Sequence, residues 1–212
     1  MKKRYFLLFI LYIAAMSVIL SGCGSGAGAP GSKGIEDTGV QVSAVVTGLY
    51  LGGDTYSVDV FQDICDEGPP PIYEDFTDHQ AEVTFFASLI NPNPTIQPGT
   101  LYIDKYTIEY RRSNDSLGAP PIEQDTRFET LIITPPLSGT GTTSSTWTIK
   151  LIDLVRKEKY GDDVLSGRYD YHLAYINNYT AIYTFYGQNE YGEDFSVKTQ
   201  VDFQIGWFDY CD

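Results

Sequence analysis

The chain has 212 residues, with 28 Asp and Glu against 14 Lys and Arg, for a formal net charge of −14. So acidic a surface argues against nucleic acid and anionic lipid head groups as partners; it suits metal cations or a basic protein, and it also simply keeps an exported domain in solution. Seventeen Tyr and eleven Phe exclude disorder over most of the length, because a polyelectrolyte carrying that much aromatic surface collapses.

Lys2, Lys3 and Arg4 precede an apolar run from Tyr5 to Leu20, with Phe6 to Leu11 at its heart, and the small residues Ser21 and Gly22 follow. These are the positive, apolar and cleavable parts of an export signal. The run is about 16 residues, short of the ~20 that cross a bilayer. Leu20-Ser21-Gly22-Cys23 resembles the lipobox of bacterial lipoproteins. The resemblance implies a diacylglycerol on the Cys23 sulfur, cleavage before Cys23 and acylation of the new amino group. It further implies a protein anchored in the cell envelope, and Gly24 in place of an Asp points to the outer membrane. More than one acyl chain makes such anchoring stable.

Removing three positive residues and no negative ones with the signal takes the charge from −14 to −17. The expected organisation is a signal peptide over 1–22, a lipidated Cys with a flexible tether over 23–39, and one domain over 40–212. The tether is rich in Gly, Ala and Ser, with a reach of ~20 Å. Cys65 and Cys211 form an even pair in an oxidising compartment, so a disulfide is the economical reading. Two free thiols, or a metal site shared with His79 or His172, are the alternatives.

From Val40 onward the pattern alternates. Val40, Val42, Ala44 and Val46 share a face, and Leu49 and Leu51 change parity, as a bulge near Gly48 would cause. Leu51-Gly-Gly-Asp54 predicts a hairpin, with Tyr56, Val58, Val60 and Ile64 on the returning strand. Glu67 to Asp78, with its three prolines, reads as a loop. Gln80 to Ile90, Leu101 to Arg111, Arg127 to Thr134 and Ser145 to Ile152 read as strands. Leu151, Leu154 and Val155 then recur at helical spacing, predicting one or two turns. Tyr169, Tyr171, Leu173 and Tyr175 alternate with Asp170 and His172, and Asn177-Asn178 is a candidate turn. Ala181, Tyr183 and Phe185 continue the pattern. Val197, Val201, Phe203, Ile205 and Trp207 oppose Ser196, Lys198, Gln200, Asp202 and Gln204, as in a strand with one dry face. About nine strands, with a single short helical turn, predict an all-β antiparallel sandwich. The last two strands resemble those of immunoglobulin-like and fibronectin type III-like domains, although the immunoglobulin Cys…Trp…Cys spacing is absent. The whole layout resembles that of uncharacterised envelope lipoproteins.

No GxSxG, HExxH or SxxK motif occurs, so the chain reads as non-catalytic and without a cofactor. Asp75, Asp78 and His79 form an oxygen-rich trio that could ligate a cation. Tyr179, Tyr183 and Tyr186 straddle both faces of one strand, so some must point outward, where a glycan or protein could dock. The first functional expectation is thus a lipid-anchored binding or scaffolding module; the alternative is a metal-assisted hydrolase or carbohydrate-processing accessory protein.

Overall fold

A computed structural model describes residues 38–49, 56–169 and 176–211. The lipobox with Cys23, most of the tether, the Leu51-Gly-Gly-Asp54 turn and His172 lie outside the described residues. Among those described, eleven strands and one α-helix follow one another: β1 (Val40–Leu49), β2 (Ser57–Asp59), β3 (Ile64–Asp66), β4 (Ile72–Tyr73), β5 (His79–Leu89), β6 (Leu101–Arg112), β7 (Asp125–Arg127), β8 (Leu131–Ile133), β9 (Thr142–Ile152), α1 (Leu154–Leu165), β10 (Asn177–Asn189) and β11 (Asp194–Gly206).

The protein is mostly β, and its sheets are antiparallel apart from one short parallel pairing. A three-stranded sheet runs β1-β5-β9, and a six-stranded sheet runs β2-β11-β10-β6, with β7 and β8 both on the far side of β6. β3 and β4 form a separate two-stranded ribbon. The two larger sheets share one core. Val42, Val83 and Phe85 from the smaller meet Ile108, Phe185 and Phe203 from the larger, and the Phe85 and Phe185 rings meet edge to face at 5.0 Å between centroids. The period-2 alternation puts Val197, Val201, Phe203 and Ile205 inside and leaves Gln200, Asp202 and Gln204 outside.

Several local expectations change. β2 does not return along β1; it pairs in parallel with the end of β11, Val58 opposite Ile205, in the other sheet. The Gly-Gly signal is local, whereas burial of Val58 and Val60 in the shared core selects the partner. No bulge occurs at Gly48, since β1 runs in unbroken register on β5 from Val40↔Leu89 to Leu49↔Gln80. Bulges occur instead in β6, where Asp104 is skipped opposite Tyr186 and Gly187, and in β9, where Leu151 is skipped opposite His79 and Gln80. The stretch 127–134 is not one strand, because β7 ends at Arg127 and β8 begins at Leu131. Part of the proline loop is strand: β4 pairs with β3. Asn177 and Asn178 lie within β10 rather than in a turn. Trp207, beyond the end of β11, is half exposed rather than on the dry face.

α1 is longer than one or two turns, at 12 residues. Asp153 caps it by accepting the Arg156 N–H at 2.9 Å. Lys157, Tyr160, Gly161 and Val164 form its buried stripe, at the i, i+3, i+4, i+7 spacing of an amphipathic helix. A Cβ at Gly161 would lie 2.9 Å from the Val60 carbonyl, so glycine lets the helix seat against the chain just after β2.

Candidate functional site

The Asp104 bulge lies beside a groove on the exposed face of the six-stranded sheet. In β10, Tyr179, Ala181, Tyr183 and Phe185 point into the core, so Tyr186 has the opposite parity and faces out, 38% exposed. Its partner across the sheet is Lys105, whose Nζ sits 5.1 Å from the ring centroid. This is a cation–π contact at an exposed site, worth ~0.5–1 kcal/mol. Next in the strand, Gly187 runs hard against β6: a Cβ there would lie 2.0 Å from the Tyr102 carbonyl oxygen and 2.8 Å from the Ile103 Cα. Only glycine permits that approach. Gln188 Nε2 donates to Asp194 Oδ1 at 2.9 Å on the facing strand. Asp104, Lys105, Tyr186, Gln188 and Asp194 thus ring an open groove of about 470 Å³. It offers one aromatic face, an ammonium, an amide and two carboxylates.

The same outward parity continues to the other end of β10 and β11. There Asn178 Nδ2 donates to Asp115 Oδ2 at 3.0 Å, Thr180 Oγ1 to Asp202 Oδ1 at 2.6 Å, and Gln204 Nε2 to Asn178 Oδ1 at 3.3 Å. With Tyr56 they line a second groove of about 490 Å³.

The three tyrosines singled out from the sequence therefore part company. Tyr179 and Tyr183 are buried at 1% and 0% exposure and cannot form a docking surface. They belong to the core because they share parity with Ala181 and Phe185. Tyr179 donates to the Pro120 carbonyl and Tyr183 to the Lys150 carbonyl. Only Tyr186 of the three is on the surface. Asp104, Lys105, Gln188 and Asp194 were not anticipated; the break in alternation between Ile103 and Tyr106 was the available signal.

Asp75, Asp78 and His79 do not assemble into a ligand set. Asp78 is turned to an ion pair with Lys150 and accepts the Leu154 N–H at 2.7 Å, which hold its carboxyl below the usual range against the opposing effect of burial. His79 is wholly buried in β5, and Asp75 is exposed in the preceding loop. Cys65 and Cys211 are joined in a disulfide, so neither offers a thiolate to a metal.

The most perturbed acid lies elsewhere. Asp59 and Glu74 are 4% and 5% exposed beneath the C-terminal tail. Asp59 Oδ1 accepts the Phe208 N–H at 2.9 Å, while Glu74 Oε1 and Oε2 accept the Asp63 and Tyr210 N–H groups at 3.1 and 3.0 Å. Burial, aided by the neighbouring Glu74 carboxyl, pushes Asp59 up to about 7. Lys157, 1% exposed, donates to the Thr77 carbonyl at 3.0 Å and lies over the Phe76 ring. Burial pulls it down to about 8, against the pull of Asp59, Glu74 and Asp78. Both carboxyls are buried and accept backbone amides of the tail and of Asp63, an arrangement that fastens structure.

The chain matches no known protein family, no curated protein and no solved structure.

Proposed function

We propose that this is a lipid-anchored, non-catalytic protein of the bacterial cell envelope. In this reading Cys23 carries the lipid, the outer membrane holds it, and the body is an immunoglobulin-like β-sandwich. The body binds or scaffolds a glycan or another envelope protein. The observation that carries the binding role is the Tyr186 groove: an exposed aromatic face bordered by Lys105, Gln188 and Asp194 on a rigid sheet. Aromatic rings with adjacent hydrogen-bonding side chains give contact area at low entropic cost and orient a polar ligand. Two sheets sharing a core through Phe85 and Phe185 support the sandwich reading. The hydrolase alternative loses the ligand set on which it depended, since Asp78 is committed to Lys150.

Capture from crosslinked envelopes, with wild-type protein and Tyr186→Ala as baits, tests the binding role. Loss of an aromatic anchor costs about 1–2 kcal/mol, hence at least a fivefold loss of captured partner. Equal recovery by the two baits excludes the groove as the binding site. Incorporation of labelled fatty acid, present in wild type and lost in Cys23→Ala, tests the anchor separately.

A further inference from the structure

The surface is polarised along the strand direction. At one end the start of β1 meets two loops: Ile90 N–H donates to the Gly39 carbonyl at 3.1 Å, and Gly139 N–H to that of Pro92 at 2.7 Å. The β10–β11 turn joins them through Tyr191, whose hydroxyl donates to the Gln97 carbonyl at 3.1 Å. One residue in five of this chain is charged, at 20%, yet residues 83–103 and 130–149 carry no charged side chain at all. Both loops of this end come from those two stretches. They expose Ile90 at 51%, Ile96 at 77% and Leu137 at 66%, beside Tyr191 at 57%. Ile90, Ile96 and Tyr191 border an apolar cleft of about 590 Å³, which Thr38 and Gly39 also line.

The opposite end is the reverse. It holds the Arg127–Asp153–Arg156 ion network, Lys157 and the Asp59–Glu74 pair. Of the apolar side chains exposed there, Ile64, Ile72 and Tyr73 lie among Asp63, Asp66 and Glu74, and Val155 and Leu165 lie among the charged residues of α1.

We propose that the uncharged end bearing Ile90, Ile96 and Leu137 is the membrane-facing surface of the protein, and that it rests in the interfacial layer of a phospholipid bilayer. This rests on the membrane attachment proposed above. Two independent observations fix the occupant. The first is where the N-terminal segment joins: the stretch holding the apolar run Tyr5–Leu20 and Cys23 leads in sequence to Thr38 at the rim of the cleft. A flexible tether of that length has an r.m.s. reach of ~20 Å. The second is charge. With the signal removed the chain carries a net charge of −17, and ionised groups keep a surface out of a low-dielectric layer; the stretches 83–103 and 130–149 are where they are absent. The acidic exceptions at this end are Glu190, Glu193, which lines the cleft, and Asp194 at the start of β11, and no Lys or Arg accompanies them in the loops. The contact is therefore apolar and insensitive to salt, and not a head-group charge attraction.

The test uses the full lipidated chain in phosphatidylcholine vesicles. A nitroxide is placed at Ile96→Cys or Leu137→Cys, with Leu165→Cys on α1, 72% exposed, as the label at the charged end. The new thiol is the reactive one, since Cys65 and Cys211 are bonded to each other. The expected result is a severalfold higher ratio of oxygen to water-soluble nickel collisions at 96 and 137 than at 165, unchanged by added salt. Equal ratios at all three positions on vesicle-bound protein overturn the proposed orientation and leave the anchor standing. Protein that fails to sediment with vesicles overturns both. A label at 96 shielded from both reagents shows that a protein segment fills the cleft, and also overturns the proposal. The two loop positions are alternatives, so failure of one variant to fold leaves the other to decide.

Discussion

The Tyr110 hydroxyl donates to the carbonyl of Leu151 across the core, at 2.6 Å. Leu151 is the skipped residue of the β9 bulge, so the ladder with β5 does not satisfy it. Two neighbouring tyrosines serve the same strand: Tyr106 accepts the Lys150 N–H at 3.1 Å, and Tyr183 donates to the Lys150 carbonyl at 3.0 Å. Tyrosine rather than phenylalanine fills these core positions because each hydroxyl closes a backbone group of an irregular strand. Tyr110→Phe leaves the Leu151 carbonyl buried and unpaired. It is expected to cost about 1–3 kcal/mol in urea unfolding, with an unchanged m value. A loss below ~0.5 kcal/mol would show that the bulge is satisfied without it.

Gly187→Ala is the severe surface-proximal change. Its methyl group meets the backbone of Tyr102 and Ile103, which cannot move as a side chain could. A loss of roughly 1–3 kcal/mol is expected, together with loss of Tyr186-dependent binding. Gly141→Ala has open space around it and serves as the neutral control, within about 0.5 kcal/mol. Thermal unfolding of the pair decides the matter.

The buried charges predict an unusual pH profile. Asp59 rises from 3.8 to about 7 on folding, so between those values the folded chain binds more protons than the unfolded one, and stability falls as pH rises. Lys157 drops from 10.5 to about 8, so between pH 8 and 10.5 the unfolded chain binds the extra proton, and stability rises with pH. The two together give a stability minimum near pH 7–8. The limiting slope from one group is ~1.4 kcal/mol per pH unit. Asp59→Asn is expected to flatten the acid-side limb while leaving the alkaline one. Urea midpoints from pH 4 to 10 measure both, and an unchanged acid-side limb in the variant assigns it to another group.

The tail from Trp207 to Cys211 is fastened at five points. They are the disulfide, the Asp59 and Glu74 carboxylates, Trp207 Nε1 on Asp63 Oδ2 at 2.7 Å, and Tyr210 Oη on the Ser57 carbonyl at 3.0 Å. The disulfide closes a separation of 146 residues, for which chain entropy gives about 4–5 kcal/mol. Cys65→Ser with Cys211→Ser is therefore expected to lower stability by roughly 2–5 kcal/mol. The polar fastenings remain, so amide exchange in 207–211 should rise without full loss of protection. Complete loss would assign the whole clasp to the covalent bond.

Much of this architecture could be read from residue order alone, where one face stays buried over a long run. β5 and β11 keep strict parity, and Val83, Phe85, Val197, Val201, Phe203 and Ile205 follow it into the core. Pairing was less legible. A Gly-Gly step suggests a hairpin from local conformation, but β2 joins β11 because Val58 and Val60 complete the core there. The groove was half legible. Parity puts Tyr179 and Tyr183 inside and Tyr186 outside, but its polar companions depend on the bulge that sets Lys105 opposite Tyr186. The Asp59–Glu74 pair could not be foreseen, because its members lie on a parallel edge strand and a loop that only the folded tail brings together.

The long covalent loop also orders events in time. The thiol at position 211 is made 146 positions after the one at 65, so Cys65 has no native partner until nearly the whole chain has been synthesised. Until Cys211 arrives, nothing covalent fixes the ribbon of β3 and β4, and the Phe208 and Tyr210 amides that cap Asp59 and Glu74 are still to come. An oxidant acting before then pairs Cys65 with a thiol other than its native one, and thiolate exchange must undo that bond before the native one forms.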